Sequence, residues 1–257
     1  MFEAIKSQRV DMRGLEIDIV LADVEALNLM AQSGELDITK LSYNALTKLT
    51  DRYQLLDAGS ALGHNCGPLL VKKAGTTLPP IESCSIAIPG VNTTANLLLD
   101  FAYPTATDRH EMLFSDIEAA VIDDKVDLGL LIHENRFTYA ERGLEKVMDL
   151  GENWEEKTKS PIPLGGIVVK RDLPKEIKEV VQDVVRDSVY YAMENRQTPI
   201  AYIREHAQEM DPEIMYKHID LYVNDYSKSL GTKGRQAIAA LFAHVNKDSE
   251  LPADLYV

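Results

Sequence analysis

From Leu15 to Ala22 the chain alternates: Leu15, Ile17, Ile19 and Leu21 interleave with Glu16, Asp18, Val20 and Ala22. A period of two predicts a strand. Asp23 then stands where a carboxylate caps a helix, which runs to about Ser33 and stops at Gly34. Leu36–Thr39 reads as a second strand, Ser42 as the cap of a short helix through Leu49, and Tyr53–Leu56 and Pro68–Val71 as further strands. A second series opens with a strand at Ser85–Ile88. It continues with helices at Thr94–Phe101 and Ser115–Asp123, a buried strand at Leu128–Ile132, and strands at Glu145–Leu150 and Ile167–Lys170. The last third is helical. Pro174 suits the first turn of a helix reaching about Asn195, with a core-facing stripe of Ile177, Val180, Val181, Val184, Val185, Val189 and Ala192. More helices are predicted at Pro199–Gln208, Pro212–Tyr222 and Thr232–Asn246.

Two stretches share a plan. Asp23-Val24-Glu25-Ala26 opens a helix that ends before Leu36-Asp37-Ile38, and Asp116-Ile117-Glu118-Ala119 opens one that ends before Val126-Asp127-Leu128. The repeat predicts an α/β protein of two lobes, with the strand ends near Lys40 and His133 facing one cleft. Lobe one is placed at residues 1–82 and 172–257, and lobe two at 83–171. Pro161–Gly166, stiff then permissive, suits a crossover or hinge, and the late helices are assigned to covering lobe one.

Composition narrows the classes. The 257 residues are 45% hydrophobic and 26% charged, as in a globular protein. The net charge is −14 with no basic stripe, so nucleic acid is not an expected partner. No apolar run approaches the roughly 18 residues of a membrane span, and the N-terminus lacks the apolar core of a signal peptide. The two cysteines, Cys66 and Cys84, are not spaced as a redox or metal pair, and the six histidines have no short-range ligand spacing. A cytoplasmic protein with free thiols is expected.

Candidate chemistry lies at element ends. His133 follows the buried strand, and the carboxyl edge of such a strand opens onto a crevice. Two readings stand there: a general base titrating near neutrality, or a cap or surface residue. Thr39-Lys40-Leu41-Ser42-Tyr43 opens a helix and offers N–H groups, an amine and a hydroxyl to an anion, or is a plain serine cap. Pro89–Ala95 repeats this logic with Gly90, Thr93 and Thr94. Neither segment is a Walker or Rossmann glycine loop. His64, in the Gly59–Pro68 stretch, is a second titrating candidate or a loop residue. Trp154 is a lid or a packing anchor.

Taken together these segments resemble the 1,4-dihydroxy-6-naphthoate synthase family of the futalosine route to menaquinone. The matching pieces are Asp23–Asn28, Thr39–Tyr43, Ala61-Leu62-Gly63 with Gly67-Pro68, Pro89-Gly90 with Thr93-Thr94-Ala95, and Ile132-His133-Glu134 with Arg136–Tyr139. Asp149-Leu150-Gly151 with Trp154-Glu155, Pro163-Leu164-Gly165, Arg204 with His206–Glu209, and Tyr222-Val223-Asn224 complete the series. The resemblance implies a two-lobed fold like that of type 2 periplasmic binding proteins, with a central cleft. It implies cleavage of cyclic dehypoxanthine futalosine to 1,4-dihydroxy-6-naphthoate, a small-molecule substrate, without metal or organic cofactor. It makes His133 the proton acceptor and places Lys40, Leu41, Ser42, Thr93, Thr94 and Ala95 in substrate-binding segments. Members of that family start with a strand and a loop resembling Ser-Pro-Cys-Pro-Asn-Asp-Thr-Phe. This chain starts inside the following helix, so a strand of lobe one and one cleft wall are expected to be missing. Two other readings stay open: a chorismate dehydratase of the same pathway, and a solute-binding protein. Oligomeric state is not legible.

Overall fold

The computed structural model describes residues 2–206, 211–245 and 251–257. Among the described residues nine strands form: β1 (Ile38–Ser42), β2 (Tyr53–Leu55), β3 (Ala61–Gly63), β4 (Leu69–Lys73), β5 (Ile86–Ile88), β6 (Arg109–Glu111), β7 (Leu128–Leu131), β8 (Leu144–Asp149) and β9 (Ile162–Lys170). They make two sheets. In the first, the long β9 lies between β1 and β2 and also pairs with β3, all antiparallel. The second has the order β6-β5-β7-β4-β8, with β5 parallel to both neighbours and β4 antiparallel to both of its own.

The chain passes between sheets at residues 64–68, after β3, and at 159–161, before β9. This places two strands differently from expectation. β4 falls within the expected lobe one but belongs to the second sheet, where Leu69, Leu70 and Val71 are buried between β7 and β8. β9 falls within the expected lobe two but is the centre of the first sheet. Its glycines explain the fit: a Cβ on Gly165 would stand 2.7 Å from the Leu41 carbonyl oxygen of β1. The Pro161–Gly166 stretch is therefore mostly strand, not hinge.

The alternating segment Leu15–Leu21 is not a strand. Its alternation holds as far as Val20, because Leu15, Ile17 and Ile19 pack on the apolar layer under β9 while Glu16, Asp18 and Val20 are exposed, and it fails at Leu21, which is exposed as well. A ladder also needs a neighbouring backbone, and β1 bonds only to β9. A cavity of about 230 Å³, lined by Ile17, Ile19, Ile38 and Val184 among others, lies between the segment and β1.

The helices are α1 (Phe2–Lys6), α2 (Val24–Ser33), α3 (Tyr43–Leu46), α4 (Thr94–Ala102), α5 (Ile117–Ile122), α6 (Asn135–Thr138), α7 (Leu150–Thr158), α8 (Lys175–Glu194), α9 (Ile200–His206), α10 (Pro212–Tyr222), α11 (Asp225–Lys228) and α12 (Gly231–Val245). Asp23 caps α2 by accepting from the Glu25 and Ala26 N–H groups, and Gly34 ends it in the left-handed conformation, as predicted. The stripe on α8 is buried at Val181, Val184, Val185 and Val189, while Ile177 is exposed. α8 packs against α1 and α11, and α12 against β9 and α3, so these helices do cover the first sheet. One apolar core joins the layers, from Leu41 and Tyr43 to Ile86, Leu98 and Trp154. The expected ends at Gln208 and Asn246, and the Ala207–Glu209 match, lie outside the described residues.

Candidate active site

His133 stands just past the end of β7, with φ +59°. That left-handed conformation is uncommon for a side chain with a Cβ, and such strain collects at functional sites. It turns the imidazole away from the strand line, beside Phe114 with ring centres 5.0 Å apart and stacked on His218 at 5.8 Å. Burial, followed by the charge of Lys40, pushes His133 down from 6.5 to about 3. It is thus neutral at pH 7 and able to accept a proton.

Lys40 projects from β1 into the same space. Burial lowers its pKa, and among the described residues no carboxylate pairs with its amine. Burial without a counter-charge disfavours the ammonium form, so an incoming anion that supplies the missing charge is favoured beside it. Leu41 is a core residue, only 1% exposed, and contributes to the wall. Ser42 occupies the cap position of α3 without making a cap bond, which corrects the plain-cap reading. Asn28 claims it instead: the Ser42 N–H donates to Asn28 Oδ1 at 3.0 Å, and Asn28 Nδ2 donates to Ser42 Oγ at 3.1 Å. α3 is also four residues long and stops at Leu46.

The second helix start is partly committed. Thr93 caps α4, its hydroxyl accepting from the Asn96 N–H and donating to the Gly90 carbonyl oxygen. The Thr94 hydroxyl donates to the Leu164 carbonyl oxygen at 2.6 Å and accepts from the Asn44 N–H at 3.2 Å. Those hydroxyls are not free for a ligand. The N–H groups of Thr94 and Ala95, in the first turn of α4, have no acceptor within the helix and remain available. Gly90 does permit a close approach, but by Glu25: a Cβ there would stand 2.4 Å from Glu25 Cγ. The Glu25 carboxylate accepts from Asn92 N and Nδ2, and from Asn28 Nδ2, locking α2 to the loop after β5.

The seven residues expected to bind substrate or take its proton line one half-open cavity of about 110 Å³: His133, Lys40, Leu41, Ser42, Thr93, Thr94 and Ala95. A larger cavity, about 690 Å³, adjoins it and shares Val24, Lys40, His133 and His218. His64 is elsewhere. It is 62% exposed and bonds Glu155, so it is no second titrating group of this site. Trp154 is fully buried against Phe101 and donates to the Pro161 carbonyl oxygen, a packing anchor rather than a lid. Cys66 lines the cavity, but burial pushes its thiol up to about 12, so it is not a thiolate nucleophile.

Three further residues were not singled out from sequence. His218 and Tyr222 sit one turn apart on α10 and line the smaller cavity. Glu134 binds His218, Nδ1 to Oε2 at 3.2 Å. The available signal was the Tyr222-Val223-Asn224 match, since His218 lies four residues earlier on the same helix face. Other matched residues are structural. Arg136 bridges the Gly67 carbonyl oxygen and Asp149, and Asp149 caps α7.

Two sheets flanked by helices, two crossings and a cavity between strand ends and helix starts define a periplasmic-binding-protein-like fold. The periplasmic aliphatic sulphonate binding protein SsuA of Escherichia coli shares it at 12% identity and a TM-score of 0.66, over 98% of this chain and 85% of that one. A solved protein from Archaeoglobus fulgidus, AF1704, superposes with a TM-score of 0.89 at 37% identity, over 96% of this chain and 92% of its own. Residues 1–247 match the family described as menaquinone biosynthesis, and the chain belongs to that family. The 1,4-dihydroxy-6-naphthoate synthase of Thermus thermophilus is 41% identical over 95% of this chain and 88% of its own length. That of Streptomyces coelicolor is 39% identical over 98% and 90%. Among the described residues no helix is long and apolar enough to cross a membrane.

Proposed function

We propose that this protein is a 1,4-dihydroxy-6-naphthoate synthase, a lyase that cleaves cyclic dehypoxanthine futalosine and releases the former ribose carbons. The observation that supports this reading is the convergence of a neutral histidine, a buried lysine amine with no carboxylate partner among the described residues, and a free helix start on one cavity. The substrate carboxylate lies between Lys40, the Ser42 hydroxyl and the Thr94 and Ala95 N–H groups, where charge-assisted hydrogen bonds hold it. His133 takes a proton from the bound ring system. The combined cavities, on the order of the several hundred Å³ typical of small-molecule sites, suit a fused-ring substrate with a sugar-derived appendage. Incubating the purified protein with cyclic dehypoxanthine futalosine and following product by mass spectrometry tests the reading. Formation of 1,4-dihydroxy-6-naphthoate is expected. No turnover of it, with dehydration of chorismate in a parallel assay, would replace the reading by its pathway sister.

A further inference from the structure

We propose that His218 is a second catalytic imidazole of this site, the proton donor that complements His133, with Glu134 as its positioning residue. The inference rests on the synthase reading and deepens it. Three observations carry it. The His218 and His133 rings are stacked, 5.8 Å between centres and 15° between planes, so their edges face the cavities side by side. Both residues line both cavities, at the boundary between the smaller chamber and the larger one. Glu134 takes His218 Nδ1, and among the described residues no protein group bonds Nε2. A carboxylate on one ring nitrogen fixes the ring and leaves the other nitrogen to act on a ligand.

The surroundings favour a donor role for His218 and an acceptor role for His133. Around His218 stand Glu134, His133, Lys40 and the more distant Asp23 from other elements, and Tyr222 from its own helix, ring centres 4.7 Å apart. Asp23 is occupied in capping α2. Among the described residues Glu134 is therefore the one carboxylate bonded to the ring. Burial pushes the Glu134 carboxyl up, but the His218 hydrogen bond, backbone N–H and neighbouring positive charge outweigh it and keep it ionised. His133 faces Lys40 and carries no such partner.

The step balances without an oxidant. A substrate C–H bond breaks, and its proton goes to His133. The electron pair becomes a new π bond of the ring system. The bond to the departing fragment breaks, its pair leaves with the fragment, and the fragment takes the Nε2 proton of His218. His133 then loses its proton to solvent and His218 regains one, closing the cycle.

The test uses the whole chain with cyclic dehypoxanthine futalosine. His218→Asn is expected to bind substrate within about twofold of wild type and to lose about a hundredfold in kcat, the size of a general-acid contribution. Glu134→Gln, which keeps the shape but not the charge, should lose about tenfold in kcat with KM little changed. Nitrogen NMR of the free protein should show both His218 nitrogens protonated, Nδ1–H held by Glu134 and Nε2–H toward the cavity, and Glu134→Ala should lose the doubly protonated ring. Near-wild-type kcat in His218→Asn, or an unprotonated Nε2 in the wild type, overturns the role of His218 while leaving the synthase reading intact. If His218→Asn does not fold, His218→Gln takes its place under the same criteria. No turnover by the wild type overturns the synthase reading and this role together.

Discussion

The Thr94 hydroxyl donates to the Leu164 carbonyl oxygen at 2.6 Å while accepting the Asn44 N–H at 3.2 Å. It ties the start of α4 to β9 and α3, and so fastens the two sheets beside the cavity. With its hydroxyl committed to two backbone groups, Thr94 matters to stability as well as to the site. Valine leaves two buried backbone groups unpaired, at about 1–3 kcal/mol each where no water replaces the hydroxyl. Thr94→Val should lower the urea midpoint clearly, and Thr94→Ser should restore most of it. A Thr94→Val midpoint equal to wild type would refute the tie.

His133 is held at about 3, first by burial and then by Lys40, against an ordinary 6.5. The proton acceptor is therefore neutral well below pH 6.5, and the acid limb of kcat should lie toward the depressed value. Lys40→Met removes a positive neighbour, so the limb should move up. A wild-type limb at 6.5, or one unmoved by Lys40→Met at saturating substrate, contradicts this.

The same shift has a stability consequence of definite sign. Below its ordinary pKa the unfolded chain protonates His133 while the folded chain does not, so stability falls as pH drops from 6.5 toward 3. His133→Asn should flatten that slope in urea melts between those limits. An unchanged slope would mean that His133 is equally protonated in both states.

His133→Asn should also bind substrate normally and lose about a hundredfold or more in turnover, because asparagine cannot accept the proton. His64→Ala should leave turnover within about twofold, the range of a surface substitution away from the site. Steady-state kinetics of both variants decide the pair. Normal turnover in His133→Asn would remove that residue from the chemistry, and His218 would be the next base to test.

A Cβ on Gly67 would stand 2.3 Å from Gly151 Cα, backbone against backbone. No side-chain rotation relieves that contact. Gly67→Ala is expected to cost about 3 kcal/mol or to prevent folding. Soluble expression and thermal melting read this, and a wild-type melting temperature would show that the crossing at residues 64–68 can shift.

Much of the fold was legible because its signals are local. Asp23 and Gly34 bracket α2 through bonds within a few residues, and the Thr93 cap and the valine stripe of α8 work the same way. Leu15–Leu21 shows the limit. Alternation marked the packed side as far as Ile19 and missed at Leu21, and a strand exists only when a second backbone lies alongside.

The sequence by itself determined most of the longer helices, though not α7, and most strands, though not β3 or β6, together with the α/β class and the residues at which a polar helix start or strand end would occur. Those features follow from spacing, caps and periodicity. Only the tertiary structure decided which sheet each strand joined, because pairing brings together segments such as β1 and β9 that lie more than a hundred residues apart. It alone showed that the Thr93 and Thr94 hydroxyls are already bonded while the Thr94 and Ala95 N–H groups are free. It also brought His218 from the late helices against Glu134 and His133. No local pattern encodes that meeting, since it depends on where α10 packs and not on the residues beside His218 in the chain.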